Sequence, residues 1–139
     1  MSLVSEIGDR LSSQSVGGLT STATWRIAYN EFLPSSIGSS SQAQQIAVTP
    51  TGGFPEEAAE AMQRKTFQMK VRCAAVTSST VLDDKMDNID DALNLKADQT
   101  WNSRKYVFVQ KQGDRLYLGR DSQDRPEMVQ NYVAFRSRT

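Results

Sequence analysis

Four aspartates, Asp83, Asp87, Asp90 and Asp91, fall at near-helical spacing within TSSTVLDDKMDNIDDALNL. Carboxylates gathered in this way are the residue type that holds a hard cation such as Mg²⁺ through oxygen. The same segment carries Leu82, Met86, Ile89 and Leu93 as a narrow apolar stripe. On a helix that stripe faces the core and the acids fall on a flank pointing away from it. Acids on such a flank can stay hydrated or face a partner. A metal-dependent hydrolase and a docking surface are therefore both open, and the second needs fewer assumptions.

Other chemistry has less to stand on. The chain has no histidine, so neither a Ser-His-Asp nor a Cys-His nucleophile can be assembled. Cys73 is the sole cysteine, which excludes an intrachain disulfide and any CxxC site. Its place on an alternating run makes it a small core residue. TGGF, Thr51–Phe54, lacks the Lys of a phosphate loop and reads as a tight turn that needs positive φ. The bases Lys70, Arg72, Arg104, Lys105, Arg120, Arg125, Arg136 and Arg138 are interleaved with Trp101, Tyr106, Tyr132 and Phe135. That pattern can stack single-stranded nucleic acid, but these aromatics fall where a sheet would bury them. The stretch LGRDSQDRPEMVQNY sets Arg120, Asp121 and Arg125 in a loop between apolar runs whose Leu116, Leu118, Val129 and Val133 are expected in the core. Such a loop is either a docking surface or a turn shaped by its own salt bridge.

The elements that must position these residues follow from periodicity. Leu3, Val4, Ile7 and Leu11 mark an amphipathic first helix, with Ser5, Glu6 and Asp9 on its other faces. TWRIAYNEF and QQIAVTP read as strands, the second cut off by Pro50. TFQMKVRCA alternates cleanly, with Phe67, Met69, Val71 and Cys73 on one side and Gln68, Lys70 and Arg72 on the other. The second helix follows, with Thr80 and Asp83 at the spacing of a capping box. KYVFVQ, DRLYLGR and EMVQNYVAFR close the chain as three strands, with QGD as a hairpin turn. Long connections are expected at about 34–45 and 51–65, the latter with a helical turn at Pro55–Met62. The expected fold is α+β: a single domain over 1–139, mostly antiparallel sheet, with two helices packed on one face.

Charge adds a hint of assembly. The chain is neutral overall, yet Asp83–Asp98 sets six acids against two lysines, and Gln99–Thr139 sets eight bases against four acids. Neutrality removes an electrostatic footprint for nucleic acid, and an acidic block followed by a basic one suits contact between copies. Pro34–Gln45 has almost no apolar anchor except Ile37, so a neighbouring chain is the natural means of ordering it. No apolar run approaches the length of a membrane span, and the opening MSLVSEIGDRL is helix-like rather than a signal peptide. A cytosolic origin is expected.

Read in order, the motifs are Trp25-Arg26-Ile27 and Pro34, Ile46-Ala47-Val48 with Gly52-Gly53-Phe54-Pro55, and Phe67-Gln68-Met69-Lys70-Val71-Arg72. They end with Leu118-Gly119-Arg120-Asp121, Arg125 and Asn131-Tyr132-Val133-Ala134-Phe135-Arg136. This series resembles the tail terminator family of long-tailed bacteriophages, also described as tail-completion or minor capsid proteins. Met69 stands where the family usually has Val, Tyr132 where it has Phe, and the Gln/Ser-rich insertion before Ile46 is long. The resemblance implies a structural virion protein without catalysis or cofactor, assembled in the host bacterial cytoplasm and located in the neck at the top of the tail. It implies a homo-hexameric ring that caps the tail tube protein, stops its polymerisation and offers a surface to a head-completion or neck protein. DNA would only pass through its channel. The expected interface comprises Lys70, Arg72, Asp83, Asp87, Asp90, Asp91, Arg120, Asp121, Arg125 and Ile37. A head-closure or adaptor protein of the neck, or a small nucleic-acid-binding domain, are the alternatives.

Overall fold

The computed structural model describes residues 2–20, 23–33, 44–53, 62–74 and 78–137. Helix α1 spans Leu3–Ser13 and starts where the Ser2 hydroxyl accepts the Ser5 N–H, satisfying one of the orphan donors of a first turn. Leu3, Ile7 and Leu11 are buried along it, as their spacing predicts. Glu6 departs from expectation, because it is buried as well.

Six strands form one sheet: β1 (Arg26–Tyr29), β2 (Gln45–Gly53), β3 (Met62–Arg72), β4 (Lys96–Trp101), β5 (Arg104–Arg120) and β6 (Pro126–Ser137). Their order is β1-β2-β3-β6-β5-β4, parallel between β1 and β2 and antiparallel elsewhere. Helix α2, Thr80–Leu93, lies between β3 and β4 in the chain. Helix α1 packs against β1, β2 and β4, α2 against β3, β5 and β6, and the helices touch each other. The core joins Ile7 and Leu11 of α1, Leu82, Met86, Ile89 and Leu93 of α2, and Ile46, Phe67, Met69, Val71, Tyr106 and Tyr132 of the sheet. The stripe of α2 and the alternation Phe67-Met69-Val71-Cys73 therefore face inward as read. Cys73 is a buried thiol whose pKa burial pushes up to about 11.

Several expectations are corrected. Strand β2 does not stop at Pro50 but runs to Gly53, and β3 begins at Met62, so Thr51–Gly53 and Met62–Lys65 are strand rather than loop. Pro50 is tolerated because β1 ends opposite Val48, which leaves β2 without a neighbouring strand on that side among the described residues. Gly52 and Gly53 have the expected positive φ, +100° and +155°, but at a register irregularity of β2 against β3 rather than in the tight turn read from TGGF. The remaining connection, 54–61, lies outside the described residues, as do 34–43. The expected helical turn falls there except for Met62, which is strand.

QGD is not a hairpin turn. β5 is one continuous strand whose register against β6 shifts between Gln112 and Leu116, with Gly113 at φ +74°, which marks a bulge. The tight turn lies earlier, at Asn102-Ser103, where φ values of +53° and +64° give the twist a two-residue hairpin needs. Strand β4, ahead of it, escaped the sequence reading because KADQTW has no apolar alternation. Thr80 is not a cap: it is already helical, and Ser79 before it makes no side-chain capping bond. Leu116 and Leu118, expected in the core, are exposed, whereas Val129 and Val133 are buried.

Candidate functional site: an assembly surface

The acidic flank of α2 is met from within the chain. Arg115, on the distal half of β5, places Nη2 at 2.8 Å from Asp87 and 2.9 Å from Asp90, and Nη1 at 3.5 Å from Asp83. Asp90 also accepts a hydrogen bond from the Tyr132 hydroxyl on β6, and Lys111 stands 3.7 Å away. Burial would lower the Arg115 pKa, but Asp87 and Asp90 outweigh it and raise the pKa above its ordinary value. Part of the acidic block is thus neutralised by this chain's own basic segment. Asp91 is separate and exposed, beside a 330 Å³ groove lined by Gln14, Ser15, Val16, Asn88 and Ala92. Among the described residues no three acids, cysteines or histidines converge as a metal site. The flank's carboxylates spread along one guanidinium instead of pointing at a common centre.

The quoted hairpin loop is held by its own charges. Asp121 Oδ1 accepts the N–H groups of Gln123 and Arg125 at 2.9 Å each, and Oδ2 accepts Arg125 Nε at 2.8 Å. Burial pushes the Asp121 carboxyl up, but those N–H groups and the Arg125 guanidinium pull harder, leaving its pKa below the usual value. Arg120 donates to the Asp124 carbonyl at 3.0 Å. The loop set extends to β3, where Arg72 is buried over the Phe32 ring at 4.3 Å and Lys70 Nζ lies 5.7 Å from the same ring. Arg72 shares Phe32 with Lys70, on the side the alternation gives it, but it is buried there. Burial and the nearby Arg125 lower its pKa. Arg72 Nε and Nη2 and Arg125 Nη1 are buried with no hydrogen-bond acceptor among the described residues.

The structure therefore gathers Lys70, Arg72, Arg120, Asp121 and Arg125 at one end of the β3–β6–β5 region, and Asp83, Asp87 and Asp90 around Arg115. Ile37 lies outside the described residues. Trp101, Tyr106 and Tyr132 of the aromatic row are buried, while Phe135 is half-buried with Arg64 over its ring at 4.6 Å.

Two features escaped the sequence reading. Glu6 accepts hydrogen bonds from the Tyr106 hydroxyl and from Arg136 Nη1 at 2.7 Å, and pairs with Arg104 Nε at 2.9 Å. Burial beside that carboxylate raises the Tyr106 pKa well above its ordinary value. An acid one turn into an amphipathic helix gives no sign of this, because its partners lie about a hundred residues away. The second feature is the exposed run Leu116-Tyr117-Leu118 on β5.

The fold of two helices and a six-stranded, mostly antiparallel sheet is similar to that of solved structures. A chain of the virion of a native gene transfer agent particle is similar with a TM-score of 0.62 at 15% identity, covering 97% of this chain and 94% of its own. A second solved structure gives a TM-score of 0.58 at 13% identity over 97% and 92% of the two chains. These likenesses concern the fold. The comparison with curated proteins gave no match. The sequence itself matches the family described as bacteriophage tail terminator protein over residues 10–135, and the chain belongs to that family. It is a structural protein of the phage tail.

Proposed function

We propose that the chain forms a ring, of six copies, that caps the tail tube, stops its polymerisation and offers its outer face to the proteins joining tail to head. The family match over residues 10–135 carries this reading. In it the protein works by surface complementarity rather than catalysis, and both helices cover one face of the sheet. The ring sits at the neck of a particle assembled in the host cytoplasm. Its partners are the tail tube protein below and a head-completion protein above, and DNA only passes through the channel. Lys70, Arg120, Asp121 and Arg125 would lie in one contact with buried Arg72 beneath it, and Asp91 and the exposed sides of Asp83 and Asp87 in another, with Asp90 beneath. Ile37 and the segments around 34–45 and 54–61 are further candidates for contact with neighbouring chains.

Arginine suits such a contact because its planar fork can pair bidentately with a carboxylate. The test is to polymerise tail tube protein with and without the purified chain and to measure tube length and end shape by electron microscopy. Capped tubes of limited length are expected. Tubes that lengthen equally in both cases, with no density added at their ends, would refute the reading.

A further inference from the structure

A guanidinium taken out of water needs an acceptor, because a buried charge without one is costly. Strand register sets Arg26 of β1, Gln45 of β2, Arg72 of β3 and Glu127 of β6 opposite one another in a single row. Residues opposite each other share a face of a sheet, so this row lies on the side turned away from buried Val71. Arg125 joins it from the β5–β6 loop, close enough to act on the Arg72 charge.

The cations of this row are not answered. Arg26 Nε, Arg72 Nε and Nη2, and Arg125 Nη1 are all buried with no hydrogen-bond acceptor among the described residues. Arg72 as a whole is 5% exposed, and Phe32 offers it a ring face at 4.3 Å. Gln45 turns its amide to Leu33 instead, accepting the Leu33 N–H at 2.7 Å and donating to the Leu33 carbonyl at 3.1 Å. Asp121 holds Arg125 through Nε, and Glu127 does not bond to the free donors of Arg72. The group that such forks take is a planar carboxylate. A nucleic-acid backbone fits less well, because Asp121 and Glu127 act on the same guanidinium and would repel a polyanion.

The molecule carries carboxylates to match. On α2, Asp83, Asp87 and Asp90 turn to Arg115, whereas Asp84 and Asp91 are exposed and meet no cation among the described residues. Seven residues apart, they share one helix face and lie about 10.5 Å apart along its axis. Arg26 and Arg72 stand two strands apart, about 9.6 Å.

We propose that Asp84 and Asp91 of one copy dock on the Arg26, Arg72 and Arg125 row of the next copy, head to tail. The contact rests on the ring reading and supplies the join between its subunits. Helix α2 packs on the core side of β3, so the two surfaces lie on opposite sides of the domain and each copy can use both at once. A heterologous contact of this kind propagates, and it closes into a ring when its rotation permits. Phe32 turns aside to admit a carboxylate to Arg72, since a ring face is the weaker partner for a guanidinium.

Two charge-reversed chains test this, Asp84→Lys/Asp91→Lys and Arg26→Glu/Arg125→Glu, with assembly followed by light scattering with and without tail tube protein. Each alone should assemble at least tenfold more weakly than wild type. Their equimolar mixture should recover wild-type assembly, because the reversed surfaces then alternate around the ring. Arg72→Met should weaken assembly too, while the thermal melt of the isolated chain stays or rises, as a buried cation without an acceptor is removed. A melt that falls would mean that Glu127 or another group of the same chain satisfies Arg72, and would overturn the proposal. So would normal assembly of both reversed chains, which leaves the ring reading standing. A defect confined to the Arg26→Glu/Arg125→Glu chain, without rescue by mixing, would give the row to another protein. Single-stranded oligonucleotide bound by wild type and lost in that chain would give it to phosphate. A wild type that stays monomeric even beside tail tubes would remove the ring reading, and this contact with it.

Discussion

Glu6 and Asp90 are built alike and differ in depth. Each is a carboxylate on a helix that accepts a hydrogen bond from a buried strand tyrosine, Tyr106 for Glu6 and Tyr132 for Asp90. Each also meets strand cations. Glu6 is 1% exposed and serves two guanidiniums, Arg104 and Arg136. Asp90 is 14% exposed and shares one guanidinium, Arg115, with two acids that are largely in water. The first cluster has charge to spare on the cationic side and the second on the anionic side. A buried cluster of this type contributes little net stability relative to an apolar core, yet removing one partner leaves the others unpaired. Its consequence is positional: Glu6 ties α1, which packs on β1, β2 and β4, to three donors on β5 and β6 as well. The α2 cluster makes the same link with water available to replace any partner.

The largest effect should follow from emptying the deep cluster. Glu6→Ala leaves Arg136 buried without a counter-charge, held only by Gln63 Oε1 at 3.2 Å, and a loss of about 3–5 kcal/mol is expected. Urea unfolding measures it. A loss near that of an exposed residue would mean that the cluster is hydrated in solution. Tyr132→Phe is the corresponding cut in the shallower cluster. It removes one donor to a charged acceptor, for an expected loss of about 1.5–3 kcal/mol. If it exceeds Glu6→Ala, depth is not what distinguishes the two sites.

How much of this was legible follows the same division between local and distant partners. The stripe Leu82-Met86-Ile89-Leu93 and the alternation Phe67-Met69-Val71-Cys73 were readable because burial repeats at the period of the element itself. The motif series led to the family, since it depends only on order along the chain. Strand β4 and the true turn at Asn102-Ser103 were not readable, because KADQTW is an edge strand with little to bury and no Gly marks the turn. QGD misled because Gly followed by Asp signals a turn, while Gly113 here serves a bulge. The acidic flank was read as a flank but not as paired, since Arg115 reaches it from another element. Tertiary ion pairs leave no periodic trace.

A smaller effect, with a defined pH window, belongs to the β5–β6 loop. The folded pKa of Asp121 lies below its ordinary value of 3.8. Its contribution is therefore fully present above the unfolded pKa and is lost as pH falls through the folded one. Asp121→Asn should cost about 1 kcal/mol at neutral pH and progressively less below about pH 4. Stability of wild type and variant from pH 7 to 2 gives the two curves, which should converge at the acid end. Curves that stay parallel would mean that the charge of Asp121 is not what holds the loop. At the opposite end, the Cys73 pKa of about 11 exceeds its ordinary 9.0. Stability from that thiol is intact below pH 9 and is lost as pH rises through about 11.

The smallest expected effect separates depth from distance most directly. Asp87 and Asp90 lie at nearly equal distances from the same atom, Arg115 Nη2, at 2.8 and 2.9 Å. Coulomb's law in a uniform medium would value them alike. Asp87 is 64% exposed, however, and Asp90 14%. Water and salt screen the first pair, and its long side chains give up rotamer freedom to make it. Asp87→Ala should therefore cost no more than about 0.5 kcal/mol, vanishing in high salt. Asp90→Ala should cost severalfold more, because it also strands the Tyr132 hydroxyl and leaves Arg115 with only its two hydrated partners. A double-mutant cycle with Arg115→Ala isolates each pair. Equal coupling energies for Asp87 and Asp90 would show that distance sets the strength of this cluster. The contrast between deep and shallow clusters would then have to rest on the number of donors alone.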